Sequence, residues 1–320
     1  MTDANRCAPC DVENYHITLS LLLMPRLVLP GGSGFLGQSF AAYARSLGHE
    51  CVTLTRHPSR EGDLEWDGKS VGAWREALEG AEAVVNFTGK SVNCRHTPEN
   101  RKEIIDSRVD SVRVVDEAIA RCARPPKVIV QTGSLAIYGD TTEPCDEEAP
   151  HGEGFGVDVC ELWEEAFFRE TLPETRKCCL RIGFALGPNG GALVPLHNLT
   201  RYFLGGTVGS GRQYISWLHV DDLNRMIQRC IEDETLEGVF NATGPHPVTN
   251  EVFMRAMRKV VGRPWSPPAP AFMVKPGARW ILRTEASLAL TGRKCYPRRF
   301  EEIGFTFAHT DLEATLRDVL

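Results

Sequence analysis

The sequence predicts an α/β fold, a doubly wound parallel sheet with a second, smaller domain. Three observations carry that expectation. Short apolar runs alternate with amphipathic stretches of helical length as far as Leu186, a glycine-rich turn follows the first run, and glycine-rich loops replace the alternation after Gly187-Pro188.

The first run, Leu27-Val28-Leu29-Pro30 after Arg26, enters Gly31-Gly32-Ser33-Gly34-Phe35-Leu36-Gly37 and reads as strand, tight turn and helix. Phe40, Tyr43, Ala44 and Leu47 continue the helix until Gly48 stops it. Cys51 to Thr55 is a second strand ending at Arg56, which completes a βαβ unit. Further strands are expected at Ala83–Phe87, Lys127–Gln131 and Cys178–Leu186, with helices over 99–122 and 160–170. Ile104, Ile105, Val112, Val115 and Ile119 share the apolar side of the longer helix. Loops then carry Asn189-Gly190-Gly191 and Gly205-Gly206, and the segment Trp217 to Leu223 opens a helix for which Asp221 is the expected cap. The main domain is therefore expected at 24–188 joined by 215–244, and the small domain at 189–214 and 245–320.

Residues 1–23 read as an appendage of weak order. Asp3, Asp11 and Glu13 are unlike the positive start of a signal peptide. The chain has 320 residues, 42% hydrophobic, 24% charged, with a net charge of −6. That balance argues against nucleic acid or an anionic membrane surface as partner. No segment approaches the ~18 apolar residues of a membrane span. Eleven cysteines, an odd number in a chain this long, read as reduced thiols and so as a cytoplasmic protein. Cys7-x-x-Cys10 lacks a partner pair and reads as incidental, Cys178 and Cys179 belong in a buried strand, and no metal site is expected.

A glycine turn between strand and helix suits a dinucleotide. Gly31, Gly34 and Gly37 let the backbone approach the pyrophosphate, whose charge then rests on the N–H groups of the first helical turn around Phe35 and Leu36. This is a Rossmann arrangement. The end of the second strand selects the cofactor. An NAD site usually places Asp or Glu there for the ribose 2′-hydroxyl, whereas this chain has Thr55-Arg56, with Arg60 beyond. A guanidinium pairs with a 2′-phosphate, so NADP(H) is the expected cofactor.

The spacing of Gly31, Gly34 and Gly37 resembles that of the extended short-chain dehydrogenase/reductase superfamily. Asn86-Phe87-Thr88-Gly89, Thr132-Gly133-Ser134 with Tyr138-Gly139, and Val220-Asp221-Asp222-Leu223 follow in that superfamily's order. Trp66-Asp67, Ser107-Arg108-Val109, Trp163-Glu164, Gly209 to Gln213 and the stretch Pro297 to Phe307 resemble an atypical subgroup. Its members are NAD(P)-dependent epimerase/dehydratase-like proteins, some labelled as cell-division inhibitors, with a family-specific C-terminal domain.

The resemblance implies that Arg56, Phe87, Thr88, Glu103 and Arg108 border the nucleotide and that Ser134 stands at a catalytic position. It also places the superfamily's Tyr-x-x-x-Lys slots on Gly156 and Cys160, or on Phe155 and Val159 in the neighbouring register, so neither restores that dyad. Tyr138 is a candidate substitute for the tyrosine, although a Tyr-Gly here closes a loop in the family. Asp158, Cys160 and His219 read as structural.

Two functions follow. One is an NADP(H)-dependent oxidoreductase or epimerase-like enzyme for a small polar substrate, with Trp217, Gln213 and Arg212 shaping its pocket. The other is a non-catalytic NADP(H)-binding regulatory module. Either is compatible with a homodimer.

Overall fold

The computed structural model describes residues 24–188, 190–276 and 285–320. The expectations for residues 1–23, for Cys7 and Cys10, and for Asn189 lie outside the described residues. Seven parallel strands form one sheet: β1 (Arg26–Pro30), β2 (Glu50–Thr55), β3 (Asp63–Glu65), β4 (Ala83–Asn86), β5 (Val128–Ser134), β6 (Arg176–Ile182) and β9 (Gly238–Ala242). Their order is β9-β6-β5-β4-β1-β2-β3. From β1 the chain runs outward to β2 and β3, then returns to β4 on β1's other side. That reversal opens a crevice at the carboxyl ends of β1 and β4.

The strand period of two sends side chains to both faces. Leu27 and Leu29 pack with Phe40, Ala41 and Ala44 of α1 (Phe35–Ser46) and with Leu223, Met226 and Ile227 of α5 (Val220–Glu232). Val28 faces the opposite layer, Val112 and Val115 of α2 (Pro98–Ile119) with Trp163 and Phe167 of α3 (Phe155–Arg169). Each fully buried side chain of this size contributes about 1.5–3 kcal/mol. The sheet is thus a wall with helices on both sides, as the strand–helix alternation predicts.

Several boundaries differ from expectation for local reasons. The run expected as one strand at Cys178–Leu186 divides at Gly183, where a Cβ would collide with the carbonyl of Ser216. The remainder, β7 (Phe184–Leu186), pairs instead with β8 (Trp217–His219). Helix α3 starts at Phe155, five residues before the expected 160, directly after Gly154 with its φ of 107°. Helix α2 spans 98–119, with Thr97 capping Asn100 N–H and Pro98 in the first turn. Helix α5 is capped by His219 and not by Asp221, because His219 accepts the Asp221 N–H at 3.0 Å.

A separate apolar cluster joins α4 (Leu193–Arg201), α6 (Asn250–Val260) and α7 (Leu312–Val319) to β7 and β8, through Leu193, Phe253, Met257, Leu316, Leu186 and Trp217. Residues 294–295 pair with 144–145, in the connection between β5 and α3, so the C-terminal segment reaches the carboxyl side of the sheet. Among the described residues no helix is long and apolar enough to cross a membrane.

Candidate functional site

The crevice is lined first by the glycine turn. Gly31 has a φ of 70°, and a Cβ there would stand 2.8 Å from the backbone nitrogen of Thr88. A Cβ on Gly37 would stand 2.5 Å from Gly32 Cα, so α1 can sit close behind the turn. Helix α1 begins after Gly34 with no side-chain cap and no acidic residue in its first turn. The N–H groups around Phe35, Leu36 and Gly37 therefore keep the helix's positive end for a ligand. Thr88 Oγ1 is buried against this turn without a hydrogen-bond partner. A tight backbone cradle, a free helix N-terminus and an unsatisfied hydroxyl fit a pyrophosphate.

The end of β2 is tied to the turn by Thr55, whose hydroxyl donates to Ser33 Oγ at 3.2 Å. Arg56 is the next residue, exposed, with no ion pair among the described residues. Arg60 donates to Gln38 of α1 at 3.2 Å. Arg56 also borders a cavity of about 390 Å³ with Trp66, Asp67 and Trp74. The two indoles meet edge to face at 5.5 Å. Asp67 accepts from Ser70 and from the backbone N–H groups of Ser70 and Lys69, which pulls its pKa down to about 2. The two tryptophans and this acidic loop were not picked out as site residues from the sequence, although Trp66-Asp67 was visible as a family mark.

The loop after β4 carries the next group. Phe87 packs against Phe40 with ring centres 6.1 Å apart, and Thr88 N–H donates to Asn86 Oδ1 at 3.0 Å. Arg108 donates to the carbonyls of Lys90 (3.1 Å) and Ile104 (2.9 Å), and its guanidinium lies 4.9 Å from the Trp163 ring centre and against Gly89. Burial pulls its pKa below the usual guanidinium range. Glu103 is exposed and pairs with Lys90. Its carboxylate is thus engaged with the loop.

Ser134 ends β5, half-buried. Its Oγ accepts the Ala136 N–H at 3.2 Å, capping a single 3₁₀ turn at Leu135–Tyr138. The hydroxyl hydrogen stays available for an external acceptor. Gly156, in the first turn of α3, faces this turn, since a Cβ there would lie 3.7 Å from Ala136 Cβ. One turn on, the Cys160 thiol is buried, and burial with the Glu164 charge raises its pKa to about 12 despite Arg108, Arg293 and Arg181.

Tyr138, the candidate substitute for the family's tyrosine, is already engaged on both sides of its hydroxyl. It is buried, donates to Asn241 Oδ1 at 2.8 Å and accepts from Arg181 at 2.7 Å, and burial pushes its pKa up. Trp217 and Gln213, expected to shape the pocket, are both buried. Trp217 belongs to the apolar cluster of α4, α6 and α7, and Gln213 Nε2 spans the carbonyls of Val208 (2.9 Å) and Ala289 (3.1 Å). Arg212 is exposed.

Among the described residues, His219, His309 and Asp318 bring potential ligand atoms within 4.8 Å of one another. His219 Nδ1 accepts the Asp221 N–H, while Nε2, 3.1 Å from a carboxylate oxygen of Asp318, is buried and makes no hydrogen bond among the described residues.

A family model described as the NAD dependent epimerase/dehydratase family matches residues 27–242. The chain belongs to this family. A second model, a domain of unknown function (DUF1731), matches residues 269–319. The Arabidopsis thaliana epimerase family protein SDR39U1 homolog, chloroplastic, is 31% identical, covering 98% of this chain and 99% of its own length. Epimerase family protein YfhF of Bacillus subtilis is 30% identical over 92% of this chain and 97% of its own. The crystal structure of the human epimerase family protein SDR39U1 with NADPH superposes with a TM-score of 0.83 at 29% identity, covering 92% of this chain and 98% of that one. Within the epimerase family, then, the glycine cradle of this chain occupies the crevice of a Rossmann-type nucleotide-binding fold.

Proposed function

We propose that the chain is an NADP(H)-dependent oxidoreductase or epimerase-like enzyme acting on a small polar substrate. The observation that carries this reading is Arg56, a guanidinium on the residue after β2 that makes no ion pair among the described residues, beside a glycine cradle whose helix N-terminus carries no side-chain cap. The human relative crystallised with NADPH supports it.

The N–H groups of α1 would hold the pyrophosphate, Arg56 the 2′-phosphate, and Phe87, Thr88 and Arg108 the inner wall of the crevice. When bound, NADPH supplies a hydride to an electrophilic carbon. Ser134 offers its free hydrogen to a substrate oxygen.

The test is titration with NADPH and NADH of wild type and Arg56→Ala. A charge-assisted pair contributes about 1.5–3 kcal/mol, so the variant should lose roughly tenfold to a hundredfold in NADPH affinity and little for NADH. Equal binding of both cofactors by wild type, or parallel losses in the variant, would remove the 2′-phosphate assignment.

A second reading, a regulatory module that binds NADP(H) without turnover, is favoured by Gly156 and Cys160. By the family resemblance these stand in the Tyr-x-x-x-Lys slots, and a buried neutral thiol brings none of a lysine's charge. Single-turnover oxidation of bound NADPH in the presence of a carbonyl library separates the two readings.

A further inference from the structure

The most exposed large apolar side chains of the described residues lie on two neighbouring segments. Tyr202, Leu204, Trp265, Phe272 and Met273 are between 58% and 76% exposed, and no other large apolar side chain among the described residues exceeds 50%. The segments run side by side. Arg263 Nε donates to the Arg201 carbonyl at 3.1 Å, and its guanidinium lies 4.9 Å from the Phe203 ring centre. Further along, the Ala269 N–H donates to the Thr207 carbonyl at 2.8 Å and the Gly209 N–H to the Ala269 carbonyl at 2.9 Å. Single exposed apolar residues are ordinary, whereas a cluster of them marks a contact surface.

Phe203 adds a second sign. It follows Tyr202, the cap of α4, and with a φ of 59° it is the one non-glycine residue of positive φ among the described residues. The Phe203 and Leu204 N–H groups return to the carbonyls of Thr200 (3.1 Å) and Leu199 (2.9 Å), closing a helix end whose left-handed position glycine ordinarily fills. A phenylalanine held there is strained, yet its ring stays half in solvent between Tyr202 and Leu204.

The charge around these residues has one sign. The net charge of −6 is an average, for no acidic residue occurs between Glu174 and Asp221 or between Glu251 and Glu285. Arg201, Arg258 and Arg263 flank residues 201–205, and none of them pairs with a carboxylate among the described residues. Arg258 and Arg263 donate to the carbonyls of Gly205, Arg201 and Gly262, which engage their hydrogens and leave their charge. A cavity of about 340 Å³ opens beside them, lined on its polar side by His197, Arg201, Arg263 and Arg317. Of these arginines only Arg317 has an acidic partner, Glu313.

We propose that residues 201–204 and 263–273 rest on an anionic lipid surface. Tyr202, Trp265, Phe272 and Met273 enter the boundary between headgroups and acyl chains, while Arg201 and Arg263 meet the lipid phosphates. Aromatic side chains flanked by arginine are the residue types that settle at that boundary. Side chains this exposed project singly and line no groove, so they suit a fluid surface that needs no matching shape. The chain then lies on one face of the bilayer without crossing it.

The experiment is flotation of the full chain with two kinds of vesicle, phosphatidylcholine alone and phosphatidylcholine with an equal part of phosphatidylserine. Wild type should bind the anionic vesicles at least tenfold more tightly than the neutral ones, and less tightly as salt rises. Trp265→Ser combined with Phe272→Ser should lose at least tenfold of that affinity. Arg201→Gln removes a charge that makes no side-chain bond among the described residues, and should lose about threefold to tenfold. Melting temperatures should stay close to wild type, since exposed substitutions of this kind cost little. Equal binding to both vesicles, no binding to either, or a double variant that floats like wild type overturns the proposal. So does a wild-type dimer in sedimentation that the double variant abolishes while neither protein floats, which would give the surface to a second copy of the chain.

Discussion

Gly31 and Thr88 approach so closely that a Cβ on the glycine would lie 2.8 Å from both the Cα and the nitrogen of the threonine. The turn after β1 and the loop after β4 therefore share one narrow crevice. Gly31→Ala must relieve a backbone clash and also hold an alanine at a φ of 70°, a conformation that alone costs about 1–2 kcal/mol. We expect a lowered melting temperature and at least a tenfold loss of NADPH affinity. A variant that binds NADPH like wild type would show that the two loops separate freely and that the cradle is not built as described.

Arg181 and Glu164 form a buried ion pair beside the site, with side chains 5% and 12% exposed. Glu164→Ala leaves a buried guanidinium with only Tyr138 and His151 as neighbours for its hydrogens. Breaking a pair at this depth typically costs about 3–5 kcal/mol. Replacing both partners by apolar residues, Arg181→Met with Glu164→Leu, should cost less than the single change. Urea unfolding of the three proteins checks the order, and a double variant weaker than Glu164→Ala would contradict it.

His219 gives the fold a defined response to acid. Its Nδ1 accepts the cap hydrogen bond of α5, and its ring stacks on His309 with centres 3.8 Å apart. Burial and the His309 charge lower its pKa from 6.5, while Asp221, Asp318 and Asp222 oppose them. With the folded-state pKa below the unfolded one, the contribution is complete above about pH 6.5. It is lost progressively as pH falls toward and through the folded value. His219→Asn keeps a capping acceptor but does not titrate. Between pH 7.5 and 5.5 wild type should lose more unfolding free energy than His219→Asn, and equal losses would remove His219 from the acid response.

These residues also show what the sequence carries and what it withholds. The turn is legible because Gly31, Gly34 and Gly37 act through local backbone geometry, and the position of Arg56 because it directly follows a strand. The His219 cap was misassigned to Asp221, since both stand at the helix start and only the side-chain direction separates them. The break at Gly183 was hidden because its cause, the Ser216 carbonyl, lies far along the chain. Arg293 was invisible for the same reason. Nothing in Gly292-Arg293-Lys294 signals a buried cation until residues 294–295 pair with 144–145 and carry the arginine to the connection between β5 and α3. Local chemistry reads out of a sequence, whereas a charge assembled from distant segments does not.

Catalysis turns on Ser134. A carbonyl that accepts a hydride becomes an alkoxide and needs a proton, and general acid assistance is typically worth about 10²–10⁴ in rate. Tyr138 is committed to Asn241 and Arg181, and Cys160 is a buried thiol with its pKa raised to about 12, so neither is a ready donor near neutral pH. The Ser134 oxygen is held by the Ala136 N–H and its hydrogen is free, which suits it to orient and polarise a carbonyl without serving as the proton source. Any turnover should therefore be slow. Ser134→Ala should lower it at least tenfold while leaving NADPH affinity within twofold, because the hydroxyl caps only the short turn and, among the described residues, makes no hydrogen bond to the glycine cradle. Stopped-flow oxidation of bound NADPH, beside a cofactor titration, reads both quantities. Parallel loss of rate and affinity would make Ser134 a part of the crevice's architecture. Fast turnover indifferent to the substitution would require a proton donor elsewhere, and the absence of turnover with any carbonyl or sugar, with NADPH binding intact, would favour the regulatory reading.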